Sequence, residues 1–195
     1  MGKRRLESAL LAARASRPDL AFDVRWRPFE LDSSLPKGKG HDKLDHYNRK
    51  FGPEAVASMV PRMRAVAREH GIEMEYGGHV GNTFDSHRLI WAAREEGGSD
   101  LQDRVVEELF KAYFERNESL GERDVLVRCA AAAGMEGGDA LLGDETRGAD
   151  EVRREVREYG RAYGCRGVPM FVIDGKYALN GAQESDAFLR AFDRL

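Results

Sequence analysis

Cysteine is scarce in this sequence: 195 residues hold two, Cys129 and Cys165, 36 positions apart. Two cysteines exclude both a disulfide framework and a tetrahedral four-cysteine zinc site. Also missing is any apolar run near the roughly 18 residues that cross a bilayer, so no membrane partner is expected. Basic residues are not in excess, since 31 Lys and Arg face 34 Asp and Glu for a net charge of −3. Affinity for nucleic acid comes largely from neutralising phosphates, and this balance argues against such a partner. His41, His46, His70 and His79 show no His-x-x-x-His or carboxylate pairing at ligand spacing, so no metal is expected.

What is present is the composition of a soluble globular chain, 42% apolar and 33% charged, of a length that suits one domain. The basic start Lys3-Arg4-Arg5 and the segment after it fit a secretory signal poorly, because Glu7 and Arg14 interrupt the apolar stretch. Arg-rich and Ala/Leu/Ser-bearing, the stretch leaves an organellar address open, with Glu7 against it. Met1-Gly2 could open a myristoylation signal, but Leu6 stands where that signal wants Ser or Thr. An ordinary first helix is the expectation, and a cytoplasmic location with it.

The periodicity predicts a helix ending near Pro18, then a strand over Phe22–Phe29, where apolar and charged residues alternate. Leu31 to about Gly164 reads as helix and loop. Glu54 to His70 forms one helix or two, depending on whether Pro61 breaks or opens a turn. Asn82 or Thr83 caps a helix through Trp91 that closes at Gly97-Gly98; further helices carry Leu101 to Phe114, Asp124 to Gly134, and the Val152, Val156, Tyr159, Tyr163 stripe. Met170–Ile173, the turn signal Asp174-Gly175 and Tyr177–Leu179 predict a hairpin, and a last helix runs from about Glu184. A parallel pair needs strand, crossover helix, strand, and a chain that opens on a helix lacks the first of these.

Three stretches, Gly2-Lys-Arg-Arg-Leu-Glu7, Asn82-Thr-Phe-Asp-Ser-His-Arg-Leu89, and Gly167-Val-Pro-Met-Phe-Val-Ile-Asp-Gly-Lys176 with Gly181-Ala-Gln183, make the chain resemble the DsbA-like thioredoxin-fold family, specifically its FrnE-type branch. The resemblance covers essentially the whole chain. It implies an α/β, thioredoxin-like fold with thioredoxin parts at about 1–30 and 148–195, a large helical insertion at about 41–147, and no first, central strand. In that family a strand and Cys-Pro-Trp-Cys precede the Gly-Lys-Arg-Arg-Leu-Glu stretch. The redox cysteines would therefore precede Met1, and no catalytic residue is expected within the chain as given. The expectation is an N-terminally incomplete form of a longer protein, inactive by itself in dithiol exchange; a diverged non-redox protein is the rival.

The family likeness implies a thiol–disulfide oxidoreductase acting on protein or small-molecule thiols and disulfides, with no bound cofactor. Kappa-class glutathione transferases and 2-hydroxychromene-2-carboxylate isomerases, which use glutathione, are the enzyme alternative, and a non-catalytic peptide binder is a third reading. Val168 and Pro169 match the family's cis-proline loop, which offers main-chain groups to an extended substrate; Gly167 flanks it. Asn82, Thr83 and His87 match a stretch that packs near the redox site, though a helix cap with one polar residue a turn along explains them equally. Cys129 reads as a small buried hydrophobe, and Cys165, just before the proline loop, as another, with a redox-sensitive thiol near the site as its alternative. Nothing in the sequence speaks to oligomeric state.

Overall fold

The computed structural model describes residues 1–195, and its contacts divide the chain into two compact units, residues 1–24 with 157–195 (unit 1) and residues 25–156 (unit 2). The elements in chain order are α1 (Gly2–Ser16), β1 (His41–Asp42), α2 (Lys43–Phe51), α3 (Pro53–Arg68), β2 (His79–Val80), α4 (Phe84–Phe114), α5 (Arg123–Ala132), α6 (Gly138–Gly143), α7 (Ala149–Tyr163), β3 (Met170–Ile173), β4 (Tyr177–Asn180) and α8 (Ser185–Phe192). No helix is long and apolar enough to cross a membrane.

In unit 1, β3 and β4 form an antiparallel hairpin with Met170 opposite Asn180 and Ile173 opposite Tyr177. Asp174 and Gly175 both adopt positive φ, the conformation that Asp-Gly favours, but they lie in a three-residue connection, where Lys176 N–H donates to the Ile173 carbonyl. Ala9, Leu10 and Ala13 of α1 pack against Phe188 and Phe192 of α8, with Phe22, Phe171, Ile173 and Leu179 around them. Phe188 meets Phe171 edge-to-face at 4.8 Å, a geometry that adds to the gain from burial. Pro18 ends α1, and Gly164, at φ +58, ends α7.

The strand expected over Phe22–Phe29 is not formed. Its alternation is real, but a strand is defined by a partner and no other strand pairs with it. Phe22 and Val24 instead pack on the unit 1 core. In unit 2 the side chain of Gln102 serves Trp26 as a neighbouring strand would: Trp26 N–H donates to Gln102 Oε1 at 2.9 Å, and Gln102 Nε2 donates to the Trp26 carbonyl at 3.1 Å.

Unit 2 is built on α4, α5 and α6, whose Leu89, Val105, Leu109, Leu126, Cys129 and Leu141 are essentially inaccessible. Burying each such aliphatic side chain contributes about 1.5 to 3 kcal/mol. α4 breaks at Gly97-Gly98, where both residues leave helical geometry and Gly98 takes φ +67, which Gly tolerates without steric cost. α3 runs unbroken through Pro61. Arg88, 1% exposed, ties α4 to the segment after α6: it pairs with Asp85 at 2.9 Å and donates to the carbonyls of Leu141, Asp144 and Arg147. Lys43, equally buried, donates to the Tyr113 carbonyl at 2.8 Å and lies over the Tyr113 ring.

Candidate functional site

In unit 1 the N-terminus of α1 meets the loop before β3. Met1 is half-buried at the cap position of α1, where its carbonyl accepts from Arg5 N–H at 3.1 Å. A Cβ on Gly2 would stand 3.2 Å from Cγ of Pro169 and 3.3 Å from Cζ of Phe171, so glycine is what permits this approach. The Val168–Pro169 peptide bond is cis. Val168 is 47% exposed and Pro169 is exposed beside it. The Pro169 carbonyl is tied back by Gly181 N–H at 2.8 Å. Cys165 Sγ lies 3.4 Å from the Gly167 carbonyl, a donor to the loop itself.

The first turn of α1 has no acid and three consecutive cations, Lys3, Arg4 and Arg5. Cations there oppose the helix dipole, whose N-terminal end is already positive. Glu7 offsets part of this, pairing with Lys3 and with Arg4 at 2.9 Å. Arg5 pairs with Glu184 at 2.7 Å and donates to the Ala182 carbonyl, and Ser185 Oγ donates back to the Arg5 carbonyl. The result is a positive helix end, pinned to the start of α8 and set against the Pro169 loop.

Asn82, Thr83 and His87 come together in unit 2, at the start of α4. Asn82 Oδ1 accepts from Phe84 N–H at 2.9 Å, and its Nδ2 donates to the Ser33 carbonyl at 3.1 Å. Thr83 occupies the cap position without a capping bond from its own side chain. His87 Nε2 lies 3.1 Å from the Phe29 carbonyl and 3.4 Å from Thr83 Oγ1. Burial pushes the His87 pKa down to about 4, against a smaller upward pull from the Phe29 carbonyl, so the ring is neutral at physiological pH. The six residues singled out from sequence thus fall in two groups, Gly167, Val168 and Pro169 in unit 1 and Asn82, Thr83 and His87 in unit 2.

Sequence reading missed Gly2 as the close-approach residue and Gln102 as the anchor of Trp26. A glycine one position before a basic run was the only signal for the first, and nothing local signalled the second. Neither cysteine is bonded to another. Cys129 is 1% exposed and burial pushes its thiol up to about 11, which disfavours the nucleophilic thiolate. No group of three or more His, Cys, Asp or Glu side chains is placed to hold a metal ion.

The model of the DSBA-like thioredoxin domain matches residues 1–193. The chain belongs to the DsbA-like thioredoxin family. Among solved structures it is similar to a probable DsbA oxidoreductase from Streptomyces coelicolor, 33% identical, with a TM-score of 0.85 over 99% of this chain and 82% of that one. It is also 25% identical over 173 residues to the uncharacterized protein YwbO of Bacillus subtilis (strain 168), covering 87% of this chain and 80% of that protein. Membership gives the DsbA-like chain its thioredoxin-like fold, and at family level an oxidoreductase character and thiol or disulfide substrates.

Proposed function

We propose that this DsbA-like protein is a thiol–disulfide oxidoreductase, of the FrnE type, whose thiol chemistry takes place at the start of α1, facing the Val168–Pro169 loop. The observation that carries this reading is the meeting of the α1 N-terminus with the Val168–Pro169 loop. A helix N-terminus stabilises a thiolate, and the cations of Lys3, Arg4 and Arg5 add to that field. Cys129 and Cys165 do not fill the role, since one is buried with a raised pKa and the other stands alone. Val168, exposed beside a proline that has no N–H, offers main-chain groups to an extended substrate.

In the reducing direction the first thiolate attacks a substrate sulfur, a new S–S bond forms as the substrate disulfide breaks, and the departing sulfur takes a proton. The second cysteine, once deprotonated, attacks the mixed disulfide and releases the other substrate sulfur. The substrate gains two electrons and two protons, and the enzyme dithiol becomes a disulfide; the oxidising direction is the reverse. No bound cofactor is needed, and location in the cytoplasm fits a thiol-reducing role.

The test assays the protein purified from its native source for reduction of insulin disulfides by dithiothreitol, beside the uncatalysed reaction. The protein is expected to accelerate the reaction. A rate no faster than the uncatalysed one overturns the reading. Serine in place of the first cysteine would move the assignment to the glutathione-using enzymes.

A further inference from the structure

Both tryptophans of the chain, Trp26 and Trp91, line one cleft within unit 2. Its volume is about 190 Å³, which exceeds the ~150 Å³ of an engineered cavity that holds a benzene ring but falls below the ~300 Å³ at which sites for larger ligands begin. The enclosed space suits one aromatic ring.

The walls are held in place before any ligand arrives. Trp26 donates its indole N–H to Asp103 at 2.9 Å and meets Phe110 edge-to-face at 5.7 Å. Trp91 lies so close to Gly148 that a Cβ there would stand 2.6 Å from the indole. Gln102, 1% exposed, spends its whole amide on the carbonyls of Trp26 and Ile90 and the Trp26 N–H. Arg27 pairs with Glu155 at 2.6 Å, so these two lining charges cancel.

Arg94 donates to Ser99 Oγ at 2.7 Å and Glu95 is exposed to solvent, so His87 is the uncharged lining group left with capacity. Its Nε2 faces the Phe29 carbonyl and therefore carries the proton, which leaves Nδ1 as an acceptor with no partner in the protein. The ring lines the cleft. An uncharged ring that brings a hydrogen-bond donor is the complement of two indoles, charges that are already bonded or solvated, and one neutral acceptor. We propose that this cleft binds a small phenol, its ring held against Trp26 and Trp91 and its hydroxyl donating to Nδ1 of His87. The inference does not depend on the redox reading.

The two indoles make the test direct, because all tryptophan fluorescence of the chain comes from this cleft. The full chain is titrated with p-cresol, toluene and 4-methylanisole, exciting indole beyond the absorption of the phenol. The expected result is a saturable change with p-cresol, at an affinity about three- to tenfold above that of toluene and 4-methylanisole, which keep the ring but cannot donate. In His87→Phe, checked for fold by circular dichroism, the three ligands become equal. The methyl ether keeps the proposal testable if that variant does not fold. No saturable change with p-cresol, or 4-methylanisole binding as tightly, overturns it. A tyrosine-containing tripeptide in the same titration tells the source of the ring: competition with p-cresol assigns a tyrosyl side chain, and its absence assigns a free small phenol.

Discussion

The core of unit 2 gathers fourteen buried side chains, most of them from α4, α5 and α6, whereas unit 1 buries five between α1 and α8. All four residues of β3 are only half-buried, and β3 pairs on one side alone. A run such as Met-Phe-Val-Ile is usually found in the most enclosed part of an α/β sheet. The charge differs too, with eleven Lys and Arg against eight Asp and Glu in unit 1, and twenty against twenty-six in unit 2. Unit 2 is therefore the acidic half with the larger core, and unit 1 the thinner, basic half that carries the proposed redox scaffold. Thin cores open first, and elements that receive a substrate are commonly drawn from that end of the stability range.

The largest effect is expected from Phe188→Ala, which removes the fully buried ring between α1 and β3 and costs about 3 to 5 kcal/mol. Hydrogen exchange should then show protection lost across residues 1–24 and 157–195 while α4 and α5 keep theirs. Equal loss in both units would break the comparison.

Lys43→Met is next. Burial pulls the Lys43 pKa from 10.5 down to about 8, a penalty of about 3 kcal/mol on the charged form in the fold. Between those two values an unfolded Lys43 holds its proton more than the folded one, so the Lys43 contribution to stability rises as pH climbs from about 8 towards 10. Urea unfolding should show the wild type gaining on Lys43→Met over that range, whatever Cys129 and the other groups common to both contribute; near pH 7 Lys43→Met is expected to be more stable by about 2 kcal/mol once the lost bond to Tyr113 is counted.

Gln102→Leu should cost about 2 kcal/mol, because the Trp26 N–H and carbonyl lose their partners while the volume is kept. Denaturation and the emission maximum of the indoles would report it. A wild-type stability would mean that Trp26 does not need its side-chain strand. The smallest contrast concerns the thiols: Cys129 is expected to react with a disulfide reagent only on unfolding, and Cys165, half-buried at a loop, in the native state.

The helices of this protein were legible because their signals are local. The Val152 to Tyr163 stripe, the Gly97-Gly98 break and the Asn82–Phe84 bond at the start of α4 each lie within a few turns of the residues they govern. The Phe22–Phe29 alternation misled because a strand needs a partner, and the group that answers Trp26 sits 76 residues away on a helix. Arg88 and Lys43 were invisible as core residues, since such side chains are mostly exposed and only their carbonyl and aromatic partners make burial tolerable. At the site, Val168, Pro169 and His87 came from motif resemblance. The close approach of Gly2 to Pro169 and the cleft between the two tryptophans came only from the folded chain.

The central claim is thiol–disulfide exchange at the start of α1, and the most direct measurement is the intact mass of the native protein, with alkylation before and after reduction. The expected result is a dithiol, distinct from Cys129 and Cys165, that switches between disulfide and thiol. A native protein that shows no such switching pair would contradict the claim.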